Sequence, residues 1–502
     1  MNRSHLKSSI GEKENHHVQM VIFVCLGFLL YVKTFGHTWT FDDYFVILNN
    51  LDVRSFKDFI NNEYPESLTG ISIICPSSKL FGFEPKYWHI QNCLIHSINA
   101  WMIYLLLMNL SSSKSLSWLS SLLFLVHPIQ VEVVAQVSHR KDSLCLLFIL
   151  IAFYFYVLAR SRKSLKFLFM SSCAFMLSLL SKESAYAFPL IIVAYEMLLC
   201  DKNLFASLKY KNLLCLVSLF SSSLLFYLLY IQYFFHGSKY LLFTSNVISD
   251  YSTLQYYLTV FSAWGFIIEK LFWPFGLSVN YLIMPPEGLL DYRFLFLMVF
   301  ISLSSITAYY AYHKSKLLLF FILWFIVFFL PTSSILPFTK HFVADRYLYI
   351  PSVGLCVAVV ILVKGFFSKN YMIISLSIVF AFSLITFNQV SVWENNLLLW
   401  ENSLKYNPYS SRTIMNVAIY KYADNDDLFL ENINKAIGLN PDDPFPYNSL
   451  ASFYYEKNMR REAIENYEKF IELINMHSAG VYKQFSATAR ERLDELRGVS
   501  DK

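Results

Sequence analysis

A helix needs about 20 consecutive apolar residues to cross the hydrocarbon of a bilayer, and this chain carries eleven runs of that kind. They lie near 18–35, 90–109, 116–137, 143–160, 167–181, 184–200, 213–235, 293–312, 316–331, 348–364 and 371–389. Another apolar run, 253–274, is interrupted by Glu269, Lys270 and Pro274 and reads as an interfacial or re-entrant segment. Charged residues make up only 15% of the chain, against about 25% in a typical soluble domain. The expected class is therefore all-α: a polytopic membrane helix bundle with about eleven spans. The net charge of +5 is small for 502 residues, and the basic residues are dispersed. That argues against nucleic acid as the main partner. The eight cysteines form no CxxC pair, and Cys25, Cys145 and Cys215 sit inside apolar runs. They read as small buried hydrophobes rather than as disulfides or zinc ligands.

Loop charge sets the expected orientation, because short cytoplasmic loops are enriched in Lys and Arg. One set of loops holds Lys114, then Arg160, Arg162, Lys163 and Lys166, then Lys202, Lys209 and Lys211, then Lys314 and Lys316, then Lys364 and Lys369. The other set mixes signs at Asp42-Asp43, Arg140-Lys141-Asp142, Lys182-Glu183 and Asp345-Arg346. The first set is placed inside and the second outside. The run 18–35 has no small-x-small cleavage site after it and reads as a retained signal anchor. An odd number of spans then puts everything after residue 389 outside.

From about Val392 the composition becomes that of ordinary soluble helix. A tetratricopeptide (TPR) unit is a 34-residue helical hairpin with small residues where its helices approach and aromatics between neighbouring units. Residues 444–477 give Tyr447-x2-Leu450-Ala451-x2-Tyr454, then Ala463-x3-Tyr467, and the preceding unit keeps Tyr420, Ala436 and Pro441. Asn407-Pro408 and Asn440-Pro441 close successive helix pairs 33 residues apart. The expected organisation is a membrane domain over 1–391, with an outer loop at 36–89, followed by a short TPR α-solenoid over 392–502. The array serves either as a partner-binding surface or as a lid packed on the membrane domain.

Chemistry is expected where ionisable residues meet the outer face, since a charge at bilayer depth costs about 2.5–3.5 kcal/mol on insertion scales. Asp42 and Asp43 follow the first run and are flanked by aromatics. A carboxylate pair can act as general base or hold a divalent cation, although most such pairs are solvated loop acids. The segment 127–142 contains His127-Pro128, Glu132, Arg140, Lys141 and Asp142, with Pro128 breaking an apolar helix. Asp142 reads first as a helix cap. Arg140 suits either a phosphate or an ion pair with Glu132 or Asp142. Lys182-Glu183 lies at another helix end, and His341 leads into Asp345-Arg346-Tyr347. The Arg346 guanidinium fits a lipid-linked phosphate at the interface, and Tyr347 and Tyr349 fit an aromatic belt.

Asp42-Asp43 after the first run, HPIQVEVVAQVSHRKD at 127–142, SKES at 181–184 and ADRYLYIPSVG at 344–354 occur in that order before a TPR array. This combination resembles the transmembrane-and-TPR family of glycosyltransferases, the TMTC group. The resemblance spans nearly the whole chain. It implies a GT-C fold and an inverting transfer of a sugar such as mannose from a polyprenyl-phosphate donor to Ser or Thr of exported proteins. It makes Asp42 or Asp43 the catalytic carboxylate, accepting the proton of the acceptor hydroxyl. Arg140, Lys182, Arg346 and, more weakly, His341 would hold the donor phosphate. Glu132, Lys141, Asp142, Glu183 and Asp345 would support them. No cofactor beyond a divalent cation at Asp42 and Asp43 is implied, and the acceptor protein is a candidate partner for the array. A glycolipid or polysaccharide acceptor is the neighbouring reading, and a non-enzymatic membrane scaffold the rival one. A transporter is disfavoured because the charges cluster at span ends. The membrane would be the endoplasmic reticulum in a eukaryote and the plasma membrane in a bacterium.

Overall fold

The computed structural model describes residues 16–48, 80–200, 220–221, 224–225, 252–286, 291–335, 342–476 and 483–498. Among the described residues there is no strand, and two compact units separate.

Among the described residues the first unit holds twelve α-helices. They are α1 (His16–Leu30), α2 (Pro85–Ser111), α3 (Lys114–Val126), α4 (Val131–Ala135), α5 (Arg140–Arg162), α6 (Leu165–Ser181), α7 (Phe188–Leu198), α8 (Thr253–Phe272), α9 (Tyr292–Lys314), α10 (Lys316–Phe329), α11 (Ser352–Phe366) and α12 (Tyr371–Val390). Among the described residues four segments are long and apolar enough to cross a membrane: Pro85–Ser111, Val137–Arg162, Tyr292–Lys314 and Tyr371–Trp393. α3 and α4 make a fifth if their 52° bend belongs to one span. Shorter apolar helices occupy the expected runs at α1, α6, α10 and α11, and α7 lies in the run at 184–200. The run at 213–235 lies almost wholly outside the described residues. The interrupted run at 253–274 is the unbroken helix α8, which stops before Pro274.

The bend between α3 and α4 follows from His127-Pro128. A residue before proline is pushed out of the helical region, and His127 is extended at φ −67°, ψ 125°. Its ring satisfies the broken end: Nδ1 accepts from Ile129 N at 3.2 Å, and Nε2–H donates to Leu271 O at 3.0 Å. The chain turns again at Gln136 and through a 3-10 turn, Val137–His139, before α5 begins. Two corners within fifteen residues thus bring Glu132, His139, Arg140 and Asp142 to one end of the bundle.

Membrane helices gain little from the hydrophobic effect on one another, so small residues and close contact hold them. A Cβ on Gly354 of α11 would fall 2.3 Å from Phe321 O of α10. One on Gly27 of α1 would fall 2.0 Å from Ser97 Oγ of α2. α10 fills the interior with Phe320, Phe321, Trp324 and Phe328, and Trp324 Nε1 donates to Ile350 O at 3.1 Å.

The second unit holds α13 (Asn396–Tyr406), α14 (Ser411–Lys421), α15 (Asp426–Leu439), α16 (Pro444–Glu456), α17 (Arg460–Met476) and α18 (Lys483–Arg497), together with the extended segment Ser278–Pro285. α14 pairs with α15 and α16 with α17. Ala418 of α14 and Ala436 of α15 share one buried cluster, and Ala451 of α16 and Ala463 of α17 are likewise fully buried. Tyr467 and Phe470 fill the space between α17 and α18. Side-chain caps define the starts: Asn425 accepts from Leu428 N, and Asp443 from Phe445 N, each at 3.1 Å.

Candidate active site

The two acids after α1 differ in their surroundings. Asp43 is fully buried. Its Oδ1 accepts from Ser138 N at 2.7 Å, and its Oδ2 from Thr40 N at 3.3 Å and Val137 N at 3.4 Å. Burial pushes its carboxyl up to about 7, against the opposing pull of the Ser138, Thr40 and Val137 amides. Asp43 therefore latches the acidic loop onto the turn before α5. Asp42 is partly exposed and lies close enough to Arg346 to strengthen its charge. The residue before them, Phe41, sits at φ +46°, where bulky side chains are strained.

A circuit of charges lies on the double corner. Glu132 Oε1 meets Arg346 Nη1 at 2.5 Å, and its Oε2 accepts from Arg346 N at 2.8 Å. His139 bridges the carboxylates, with Nε2 3.5 Å from Glu132 and Nδ1 3.9 Å from Asp142. Asp142 pairs with the Lys182 ammonium. The two cations both lie near one aromatic ring: Arg346 is 5.3 Å and Lys182 5.9 Å from the Tyr347 ring centre. The carboxylate side chains are 1–2% exposed, while Arg346 keeps 14% and Lys182 11%. The anions sit behind, and the cations reach outward. Burial works against the Arg346 charge, but Glu132, with Tyr347 and Asp42 assisting, holds it above its ordinary pKa. Burial opposes Lys182 in the same way, and Asp142 and Glu183 hold it up. Such a pair is suited to an anion with several acceptor oxygens.

Arg140 is turned elsewhere. Its Nε donates to Asn92 Oδ1 at 2.7 Å, Nη1 to Gln91 Oε1 at 3.0 Å and Nη2 to Trp88 O at 2.9 Å. The guanidinium also lies 5.2 Å from the Trp88 ring centre, and the residue is 5% exposed. All three nitrogens are engaged by α2. Lys141 and Glu183 are exposed, and Asp345 is buried beside Arg346. His341 and loop residues 49–79 lie outside the described residues. Among the described residues no group of three or more His, Cys, Asp and Glu is placed to hold a metal ion. A cation at residues 42–43 would have to draw Asp43 away from its three amides.

Residues 71–227 match the family model described as dolichyl-phosphate-mannose-protein mannosyltransferase. Human protein O-mannosyl-transferase TMTC3 is 25% identical over 86% of the chain and 52% of its own length. A Caenorhabditis elegans protein O-mannosyl-transferase is 24% identical over 79% of the chain and 59% of its own length. The chain is similar in sequence to these protein O-mannosyl-transferases. Human protein O-mannosyl-transferase TMTC4 matches a shorter part, 29% identical over 28% of the chain and 22% of its own length. The chain spans about half the length of these two curated relatives. No solved structure matches it.

A further feature of the site is a stripe of neutral polar residues on α2. His89, Asn92, His96 and Asn99 recur at steps of three and four along α2, and all are buried. That spacing puts them on one helix face. Asn92 holds Arg140, and His96 Nε2–H donates to Leu125 O at 3.1 Å, leaving Nδ1 to accept from Tyr349 Oη at 2.8 Å. Asn99 donates to Tyr349 Oη at 3.2 Å and Ser143 O at 2.8 Å. This polar stripe on an apolar helix fixes both Arg140 and the segment carrying Arg346.

Proposed function

We propose that this chain is a membrane glycosyltransferase that moves mannose from a polyprenyl-phosphate donor to Ser or Thr hydroxyls of exported proteins. Arg346 and Lys182 hold the donor phosphate. Asp42 takes the proton of the acceptor hydroxyl as its oxygen attacks the anomeric carbon. The bond from that carbon to the phosphate oxygen breaks, and the leaving phosphate gains a negative charge beside the two cations. Asp43 positions the loop, and Arg140 positions α5. Glu132, His139 and Asp142 keep the cations in place while the site is empty. The membrane domain crosses the bilayer about eleven times with the site on the non-cytosolic face, lumenal in a eukaryote and periplasmic in a bacterium. A short TPR array follows on the same side.

The observation that carries this reading is the outward pair of cations, Arg346 and Lys182, around Tyr347 with Asp42 beside them. The relatives' names supply mannose and protein as the sugar and acceptor. The test is transfer from polyprenyl-phosphate mannose to a Ser/Thr peptide by the purified protein in lipid. Asp42→Asn should abolish turnover, and Arg346→Gln should raise the donor KM. Full turnover in Asp42→Asn rejects the mechanism. Cysteine labelling near Asn448 from the cytosolic side alone rejects the topology.

A further inference from the structure

The imidazole of His139 is buried between the two carboxylates of the charge circuit. Its Nε2 lies 3.5 Å from Glu132 Oε1, and its Nδ1 lies 3.9 Å from Asp142 Oδ2. Both gaps exceed the ~2.7–3.2 Å of an N–H···O hydrogen bond. A neutral imidazole has one N–H and one lone pair, so it can donate to only one of the carboxylates and sets its lone pair against the other. An imidazolium can donate to both.

The two cations hold the carboxylates that the ring would bind. Glu132 Oε1, the oxygen facing His139, already meets Arg346 Nη1 at 2.5 Å. Asp142 pairs with Lys182 through Oδ1. Its Oδ2, the oxygen facing His139, has no hydrogen-bond partner among the described residues. Charge reaches the ring from the elements packed on its turn: Glu132 from α4, Asp142 from α5, and Arg346 across Glu132. Asp43 meets the same turn through the Val137 and Ser138 amides. On α2, His89 faces His37 instead, with ring centres 5.8 Å apart. Arg140 is engaged by α2, and Lys141 is exposed.

With the imidazole neutral, two carboxylates balance two cations. A phosphodiester adds one negative charge and competes for Arg346 and Lys182. Three anions then face two cations, and Glu132 and Asp142 lose part of their hold. A buried charge left without a partner is costly. The group already within 4 Å of both carboxylates is His139.

We propose that His139 takes up a proton from solvent when an anion engages Arg346 and Lys182, and replaces those cations as the counter-charge of Glu132 and Asp142. The proton returns to solvent when the phosphate leaves. His139 is thus a positioning residue that frees the two cations for the donor. This rests on the reading of Arg346 and Lys182 as the donor-phosphate site.

The test uses the full chain in lipid nanodiscs and farnesyl methyl phosphate, a phosphodiester that keeps a single charge throughout the titration range of histidine. Calorimetry in two buffers of different ionisation enthalpy should show uptake of about one proton per bound probe. Affinity should weaken by up to about tenfold per pH unit as pH rises. His139→Gln, or His139→Asn should the longer amide fail to fold, should abolish the uptake and flatten the pH dependence. Asp42→Asn should keep both. Arg346-dependent binding without proton uptake overturns the proposal and leaves the donor site standing. Uptake that persists without His139, or that vanishes in Asp42→Asn, overturns it as well. Binding indifferent to Arg346→Gln, or no saturation by about 1 mM, removes the donor site itself and the proposal with it.

Discussion

The membrane unit and the helical array both pair acids with bases, yet they place them in opposite surroundings. Around Tyr347, Glu132 and Asp142 are almost fully buried behind Arg346 and Lys182. On the array, Lys457–Asp426, Arg461–Glu465, Lys469–Glu472 and Arg497–Glu468 stand at 42–88% exposure. In water such pairs are worth about 0–1 kcal/mol and can be lost with little effect. Removing charges from water costs several kcal/mol per ion, which an apolar substitute would avoid. A buried circuit at one end of an apolar bundle therefore calls for an explanation beyond stability. Handling of a charged ligand supplies one.

Glu132→Gln should give the largest effect. It leaves Arg346 without its carboxylate and should lower unfolding stability by about 3–5 kcal/mol, read from thermal unfolding in lipid. Glu132→Leu combined with Arg346→Met should recover most of that loss while transfer stays absent. A cost below about 1 kcal/mol for Glu132→Gln would make the two regions energetically alike and break the comparison.

Asp42→Asn comes next and separates function from fold. A general base contributes about 10²–10⁴ in rate, so turnover should fall by that factor with the unfolding midpoint unmoved. The neighbouring Asp43→Asn should do the reverse. It puts an NH2 group against backbone N–H donors, costs about 1–3 kcal/mol and should affect turnover mainly through misplacement of the loop. The Asp43 effect also has a pH signature. Its carboxyl is pushed up to about 7 from an ordinary value of 3.8, so the folded state holds this proton more tightly than the unfolded chain. The resulting stability is fully present below about pH 4 and is lost as pH rises through about 7. The advantage of the native protein over Asp43→Asn should therefore shrink over that window, measured by denaturant unfolding at several pH values. A constant or growing gap would reject the assignment.

The four charged clusters were legible in the sequence because charge is rare in this chain and stands out at the ends of apolar runs. The break at Pro128 was legible for a local reason, the conformation imposed on His127. Asp42 and Asp43 were not separable, because what distinguishes them is the hold on Asp43 of amides 94 and 95 residues away. Arg140 could be read as a phosphate ligand or an ion-pair partner. Its actual neighbours, Gln91 and Asn92, are neutral residues on another helix. The stripe His89, Asn92, His96 and Asn99 was there to be found by periodicity, but a search for charge passes over neutral polar residues. In the second unit, Ala418, Ala436, Ala451 and Ala463 are all fully buried.

The smallest effect probes the other side of the comparison. Lys457 Nζ lies 2.6 Å from Asp426 Oδ2, as close as Arg160 lies to Glu196. Distance alone would rank the two pairs together. But Asp426 and Lys457 are 49% and 47% exposed, so water and salt screen the attraction. Each also sits at a favourable helix end, Asp426 in the first turn of α15 and Lys457 just past α16. Part of any single-mutant cost therefore belongs to the helix dipole. A double-mutant cycle with Asp426→Ala and Lys457→Ala removes that part and should give a coupling of about 0.2–1 kcal/mol, falling further at high salt. A coupling that matches the cost of Glu132→Gln and resists salt would mean that proximity, not burial, governs these pairs. The functional argument from the buried circuit would then lose its physical basis.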